Sequence, residues 1–278
     1  AIVEVLIREI YKVLQDTKIW LGGPEVSYRA EALLKQHPYL QGVMVGEGEQ
    51  AFLQLMEHYI TKNRALCEVQ NLVYQDNKGI HKNKQGPLLA LSEVPFPYED
   101  MEKFENRIIY YESSRGCPYS CSYCLSSVEK KLRFRNLELV EKELQFFLDR
   151  KVKQVKFVDR TFNCSHKHAT EIWRFLQEHD NGVTNFHFEI AADLLDQEEM
   201  ELLGQMRPGL IQLEIGVQST NPDTLKAIRR KTDIDEIRRI TGTINQAHNV
   251  HQHLDLIAGL PNENMESFRH SFNQVYSM

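Results

Sequence analysis

The sequence predicts an α/β protein in which the C-terminal part of a Rossmann-like sheet precedes a partial TIM-like barrel of the (βα)6 type. Short apolar segments alternate with amphipathic helical patterns on both sides of a proline-rich stretch. Such alternation is typical of parallel sheets that are covered by helices. The stretch GPLLALSEVPFPYEDM contains three prolines, which favour an extended linker. We therefore expect a Rossmann-like domain at residues 1–65, a β-hairpin and linker at 66–106, and a partial barrel at 107–278.

The N-terminal part contains two strand patterns. The segments KIWLGGPEVS and GVMVGEGE each join a short apolar run to a glycine turn, and helical patterns precede, separate and follow them. Two strands are too few for a complete doubly wound domain. We therefore expect the C-terminal part of such a domain, and a chain that starts inside a longer protein. The segment NLVYQDNKGIHKN then predicts a hairpin around an Asp-Asn-Lys-Gly turn.

The C-terminal part contains five strand patterns, each followed by a helical pattern. Parallel barrels place functional residues at the C-terminal ends of their strands, so the candidates for a site lie there. A closed barrel needs more strands, and we expect the last strand to be missing from this chain. The five strand segments are RIIYYESS, VKQVKFVD, VTNFHFEIA, GLIQLEIGVQS and VHQHLDLIAGLP.

Composition and charge exclude several classes of protein. The chain has 278 residues, 42% of them apolar and 26% charged, as in an ordinary globular protein. A formal net charge of −6 argues against a general nucleic-acid binder. No run approaches the roughly 20 apolar residues of a membrane span, and the first residues resemble an amphipathic helix rather than a signal peptide. We therefore expect a cytoplasmic protein with reduced thiols.

Three of the five cysteines lie in the segment SSRGCPYSCSYC, as Cys117, Cys121 and Cys124. An odd number of cysteines and their clustering favour a metal site over a disulfide framework. Thiolates bind zinc or iron–sulfur clusters. A structural zinc ion would need a fourth, distant ligand, such as Cys164, His166 or His168. A cubane cluster on three cysteines would instead leave one iron open to an external ligand.

The segment CPYSCSYC resembles the CxxxCx(aromatic)C signature of the radical SAM superfamily and follows a first strand, as it does there. The resemblance implies a [4Fe-4S] cluster on the three cysteines, with the amino and carboxylate groups of S-adenosylmethionine (SAM) on the open iron. It also implies that Tyr123 lays its ring beside the cofactor. The cluster-bound SAM would carry the chemistry, so no catalytic side chain is assigned, and a flavodoxin or ferredoxin would supply the electron.

Further candidates for SAM binding lie at later strand ends. The resemblance implies a polar contact to the methionine end of SAM from Asp159, although an Asp that caps a turn would look the same. The segment LEIGVQS resembles the ExGxQS stretch of several radical SAM families, which implies contacts of Glu214 and Gln218 with SAM. Their spacing places both side chains on one face of a strand. The stretch DLIAGLP resembles an adenine-binding segment, with Ile257 against the base and Gly259 allowing close approach. A buried strand followed by a turn would also explain it.

The N-terminal part resembles a cobalamin-binding-type domain, on the segments LGGPEVS and VGEGEQAF, and PFPYEDM fits the linker of that radical SAM subgroup. The subgroup includes methyltransferases and anaerobic protoporphyrin ester cyclases. Its Asp-x-His-x-x-Gly motif is not in this sequence, so cobalamin is expected only in a full-length parent. The resemblance to this subgroup also suggests that Arg133 or Arg135 contacts an anionic group of a cofactor. The alternative is a solvated basic loop before a helix that Asn136 caps.

The sequence thus predicts a radical SAM oxidoreductase or transferase that acts on an unknown substrate. Two alternatives stay open within the enzyme class: a coproporphyrinogen dehydrogenase-like and a methylthiotransferase-like enzyme, both without cobalamin. A third alternative is a non-catalytic protein that binds zinc or an iron–sulfur cluster.

Overall fold

The computed structural model describes residues 2–278. The chain divides into two compact units, one that ends at Leu89 and one that begins at Ala90. Among residues 2–278, no helix combines the length and the apolar character that a membrane crossing requires.

The first unit is a four-stranded mixed sheet with helices. The strands β1 and β2 are parallel, β3 pairs antiparallel with β2, and β4 pairs antiparallel with β3. The predicted hairpin is therefore present and extends the sheet of this unit. The elements are α1 (Ile2–Val13), β1 (Ile19–Gly22), α2 (Pro24–Ser27), α3 (Ala30–Gln36), β2 (Leu40–Met44), α4 (Gly48–Met56), β3 (Leu72–Asp76) and β4 (Gly79–Lys82).

The core of the first unit lies between this sheet and its helices. Leu34 and Val43 are fully buried there, and Ile7 is the buried residue of α1. Burial of each such aliphatic side chain contributes roughly 1.5–3 kcal/mol. Gly42 is required in β2, because a Cβ at this position would lie 2.6 Å from the carbonyl oxygen of Val73 and would also overlap the Trp20 ring.

The second unit is built on a five-stranded parallel sheet, whose order β11-β10-β9-β8-β5 follows the chain. A two-stranded ribbon, β6 with β7, lies between the first strand and the first long helix. The elements are β5 (Ile109–Tyr111), β6 (Ser114–Arg115), β7 (Arg133–Phe134), α5 (Leu137–Asp149), β8 (Gln154–Phe157), α6 (His166–Glu178), β9 (Asn185–Ile190), α7 (Gln197–Gly204), β10 (Ile211–Gln218), α8 (Pro222–Ala227), α9 (Ile234–Gln246), β11 (His251–Leu256) and α10 (Met265–Tyr276).

This repeated succession of strand and helix confirms the predicted α/β class and the partial parallel barrel. Alternate residues of β10 point to opposite faces, as strand geometry requires. Leu213 and Val217 are fully buried on the helix-covered face, whereas Glu214 and Gln218 are half-buried on the inner face. The inner face therefore carries polar side chains, as the ExGxQS pattern predicts.

Aromatic side chains dominate the helix-covered core of the second unit. The ring of Phe188 lies 4.4 Å from that of Phe157 and 4.3 Å from that of Phe162, and Trp173 meets it edge-on at 5.9 Å. All four side chains are fully buried. Such ring pairs add about 0.5–1.5 kcal/mol beyond the burial of their area, so this cluster fixes the strand ends that carry the candidate site.

Candidate cofactor site at the carboxyl edge of the parallel sheet

The cysteine loop follows β6 and is held by backbone hydrogen bonds. The N–H of Cys117 donates to the carbonyl of Glu129 at 3.1 Å, and the N–H of Ser122 donates to the carbonyl of Ile228 at 2.9 Å. Gly116 has a φ of +102°, and a Cβ there would lie 2.6 Å from the carbonyl oxygen of Lys131. Only glycine satisfies both conditions without displacement of the loop.

The three cysteines of this loop are free thiols, two of them buried and Cys124 half-buried. A tetrahedral zinc ion with Zn–S bonds of about 2.3 Å would hold its sulfurs about 3.8 Å apart. Among residues 2–278, the group of three potential ligands that lie within 4.8 Å of one another is His166, Asp196 and Glu199; the cysteines form no such group. The three sulfurs are thus not gathered within that spacing in the part of the chain that the structure describes.

Two of the three suggested fourth zinc ligands, His166 and His168, have other side-chain partners. His166 Nδ1 lies 2.9 Å from Glu199 Oε2, within a capping box that Asp196 and Glu199 form at the start of α7. His168 is buried, with its Nε2 3.0 Å from Ser113 Oγ, and burial lowers the pKa of His168 to about 4. Burial raises the pKa of the Cys164 thiol to about 11, which disfavours the thiolate that a metal requires.

Asp159 anchors the strand that leads into the cysteine loop. Its carboxylate accepts hydrogen bonds from the N–H of Ser113 at 2.8 Å and from the hydroxyls of Ser113 and Ser114 at 2.6 Å each. Burial raises the pKa of Asp159 to about 6, against the opposing effect of these three bonds. Because the carboxylate is fully buried, these contacts support a role in holding the loop, and its contact with SAM stays a prediction.

A polar cavity of about 120 Å³ lies beside the thiols. Thr161 Oγ1 lies 3.8 Å from the Sγ of Cys117, and Arg230 Nη1 lies 3.8 Å from the Sγ of Cys121. The cavity therefore adjoins two of the three thiols, and Glu214 and Gln218 line it as well. The lining residues are Tyr119, Arg160, Thr161, Glu189, Ile190, Ala191, Glu214, Gly216, Gln218, Arg230 and Asp255.

Three further predicted cofactor residues, Tyr123, Ile257 and Gly259, lie on nearby loops and are not among the residues that line this cavity. Gln218 has a φ of +70° at a break in the β10–β11 register, and its carbonyl accepts the N–H of Ile257 at 3.0 Å. Ile257 packs against a small apolar cluster that includes Ile228, while Gly259 faces open space with a φ of +83°. Tyr123 is 40% exposed, and partial burial raises the pKa of its hydroxyl to about 12. Their cofactor roles stay predictions.

Arg230 is a site residue that the sequence analysis missed. Its guanidinium contacts Cys121 and donates to the carbonyl of Gly216. Its Nε is buried and has no hydrogen-bond partner among residues 2–278. The local sequence IRRKTD looks like an ordinary solvated basic turn, so composition gives no signal. Only the distance to a cysteine in another segment reveals the role.

Arg135 is buried in a structural ion pair, so the suggested anion contact is wrong for this residue. Its Nε lies 2.8 Å from Glu143 Oε2 and its Nη2 lies 2.5 Å from Glu143 Oε1. The guanidinium also donates to the carbonyls of Leu91 and Val94. The predicted cap is confirmed, because Asn136 accepts the N–H of Leu139 at the start of α5.

The chain is similar to several radical SAM proteins. It is 25% identical over 266 residues to an uncharacterized methyltransferase of Pyrococcus horikoshii, an alignment that covers 91% of this chain and 56% of that protein. It is 27% identical over 283 residues to the cobalamin-dependent radical SAM methyltransferase TokK of Streptomyces tokunonensis, with 95% of this chain and 41% of TokK covered. The chain thus spans about half the length of the curated relatives it matches.

The solved structure of the radical SAM methyltransferase TsrM from Kitasatospora setae, with cobalamin and a [4Fe-4S] cluster bound, shares the fold. The TM-score is 0.78 at 17% identity, over 97% of this chain and 55% of that one. This match includes both units and confirms the predicted fold class. The family model of the radical SAM superfamily matches residues 111–275, more than half of the chain and all three clustered cysteines. The chain is therefore a member of the radical SAM superfamily.

Proposed function

We propose that the second unit holds a [4Fe-4S] cluster on Cys117, Cys121 and Cys124 and cleaves SAM reductively. One observation carries the proposal: three free thiols lie on one loop, and two of them adjoin a polar cavity at the carboxyl edge of a parallel sheet. When bound, such a cluster supplies one electron for cleavage of the carbon–sulfur bond of SAM, which gives methionine and a 5'-deoxyadenosyl radical.

The cavity residues suit the charged ends of SAM. The guanidinium of Arg230 is a strong donor for the SAM carboxylate, and its buried Nε has no hydrogen-bond partner in the described part of the chain. The carboxylate of Glu214 is an acceptor for the ribose hydroxyls, with Gln218 on the same strand face. We assign Asp159 to the support of the loop through Ser113 and Ser114. The chain's own contribution is thus to bind and orient SAM and to exclude water.

We further propose that a longer protein that includes this chain is a cobalamin-dependent methyltransferase. The two relatives described above are named as methyltransferases, and TokK as cobalamin-dependent. In the first unit, Gly23 and Gly46 follow the parallel strands β1 and β2 with φ values of +101° and +77°, and a Cβ on either would meet no atom within 4 Å. Open, glycine-rich strand ends suit the close approach of a large planar cofactor.

Metal content after anaerobic reconstitution tests the cluster. The wild type should bind about four irons and four sulfides per chain, as a cubane requires. Each of the variants C117A, C121A and C124A should lose most of them, whereas C164A should keep them as the matched control. Stoichiometric zinc in place of iron, or loss of iron in C164A alone, would contradict the proposal and favour the binding-protein alternative.

Isotope transfer tests the methyl reaction. The longer protein, reconstituted with cobalamin, should pass the labelled methyl group of deuterated SAM to its acceptor. Formation of 5'-deoxyadenosine without methyl transfer under the same conditions would favour the enzymes that work without cobalamin. The electron donor, a flavodoxin or ferredoxin, stays a prediction in either case.

A further inference from the structure

We propose that Lys156 is a positioning residue that fixes the carboxylate of Glu214 for SAM binding, through an ion pair across the inner face of the sheet. The inference rests on the proposed function, because it assigns Glu214 a contact with SAM. Lys156 lies below the cavity and is not among the residues that line it. It therefore acts on the cofactor through Glu214.

The ion pair spans three strands. Lys156 is on β8 and Glu214 is on β10, with β9 between them. The Nζ of Lys156 nevertheless lies 2.8 Å from Glu214 Oε2. The Nε2 of His187, on β9, lies 3.0 Å from the same oxygen but does not form a hydrogen bond within the described residues. The hydrogen bond from Lys156 thus holds Oε2 in place, with the His187 ring packed against it.

The Lys156–Glu214 ion pair lies among several other charged side chains. Glu189 on β9 is directly opposite Glu214 in the sheet register, and its carboxylate lies 3.9 Å from Lys156 Nζ. Asp255 on β11 also acts on Glu214, and both residues line the cavity. Arg160 and His253 also act on this group, from the end of β8 and from β11. Three carboxyl groups thus lie near one lysine. The ionised form is favoured most for the carboxyl group that lies closest to the lysine Nζ.

The electrostatic balance favours Glu214. Burial raises the pKa of Glu214, but Lys156 and then His187 outweigh it and the net shift is downward. Burial raises the pKa of Asp255 and of Glu189, and the charge of Glu214 raises both further. Glu214 is therefore the most readily ionised acceptor of the three. An ionised carboxylate that is held in place is the form that accepts two hydrogen bonds from neighbouring hydroxyls.

Lys156 also has a simpler explanation, in which it only neutralises buried carboxylates and stabilises the fold. The two explanations differ in what happens when Glu214 is already neutral. If Lys156 acts through Glu214, its removal in an E214Q background costs nothing more in SAM affinity. If its effect is general, the losses from the two substitutions multiply.

Equilibrium dialysis of SAM against the reconstituted protein measures the SAM affinity of each variant directly. The variants are K156M, K156R, E214Q and K156M/E214Q, each compared at equal iron content and with its melting temperature. K156M should weaken SAM binding by about tenfold, in the range seen when a residue that orients a ligand is removed. K156R should keep most of the affinity, and the double variant should bind as E214Q does. K153M is the matched control, because Lys153 contacts Asn106 outside the site.

The pH dependence adds a readout that a general stabilising role would not move. Without Lys156, burial raises the pKa of Glu214, so the ionised acceptor is lost at a higher pH. The SAM affinity of K156M should therefore fall, as the pH is lowered, at a higher pH than that of the wild type. The double variant removes both charges and keeps the test valid if K156M alone folds poorly.

Two outcomes would overturn the inference. One is a K156M protein with wild-type affinity and pH dependence; the other is a double variant that loses the product of the two single effects. A wild-type protein that takes up iron but binds no SAM would instead overturn the proposed function, and the inference with it. The two failures are thus distinguishable in one experiment.

Discussion

The guanidinium Nη1 of Arg230 lies 3.8 Å from the Sγ of Cys121, although 109 residues separate them in the sequence. The N–H of Ser122, next to Cys121, donates to the carbonyl of Ile228. The segment after α8 is therefore tied to the cysteine loop by both backbone and side chain. This relationship places a fixed cation beside the thiols and at the wall of the cavity.

Substitution of Arg230 should weaken SAM binding without loss of the cluster. Hydrogen bonds to a charged group contribute about 1.5–3 kcal/mol, so we expect R230Q to raise the dissociation constant of SAM by about 10- to 100-fold. The iron content should stay near that of the wild type, because R230Q keeps the three cysteines proposed to hold the cluster. Equilibrium dialysis and iron analysis measure the two quantities. Equal SAM affinity in R230Q and wild type would contradict this role.

Gly116 should be intolerant of a side chain. In G116A the new Cβ would meet the carbonyl oxygen of Lys131 at 2.6 Å, in addition to the strain of a φ of +102°. The strain alone costs about 1–3 kcal/mol, and the clash should also displace the cysteine loop and reduce iron uptake. G182A is the matched control, because Gly182 has a φ of +74° but open space around its Cβ. Equal iron uptake in the two variants would show that the clash is relieved.

Asp159 should matter for stability in a pH-dependent way. Its pKa of about 6 lies above the ordinary value of 3.8, so between these values the folded state retains a proton that the unfolded state releases. The free energy of unfolding that this group contributes therefore falls as the pH rises from about 4 to 6. Denaturant titrations of D159N should lack this part of the slope, and a slope identical to that of the wild type would contradict the assignment.

Loss of the Asp159 carboxylate should also loosen the loop. D159A leaves the buried N–H of Ser113 and the hydroxyl of Ser114 without an acceptor, while the Ser113 hydroxyl keeps His168 as its partner. At about 1–3 kcal/mol for each unsatisfied group, we expect a free energy of unfolding lower by at least about 2 kcal/mol, with reduced iron uptake. D149A serves as the control, because Asp149 is exposed and accepts one bond from Gln145.

The Arg135–Glu143 pair should behave as a structural element. Removal of one partner, as in R135M, leaves a buried carboxylate without its cation and should cost about 3–5 kcal/mol in unfolding free energy. The double variant R135M/E143L removes both charges and should recover much of this loss. SAM affinity per folded protein should not change. A specific loss of cofactor binding in a stable R135M protein would restore the anion contact suggested by the sequence.

Local patterns were sufficient to predict the succession of strands and helices, the alternation along β10 and the cysteine loop. Each of these depends on residues that are close in sequence. Arg230 and Lys156 were missed because each resembles an ordinary solvated basic residue, and only tertiary contacts with Cys121 and Glu214 distinguish them. Asp159 was noticed, but its hydrogen bonds to residues 113 and 114 depend on the packing of neighbouring strands.

The most direct test of the account is the formation of 5'-deoxyadenosine from SAM by the anaerobically reconstituted protein, with a strong one-electron reductant. We predict that the wild type forms 5'-deoxyadenosine, that C121A does not, and that C164A does. A wild-type protein with a full complement of iron and sulfide that binds SAM but leaves it intact, both alone and within the longer protein, would contradict the account.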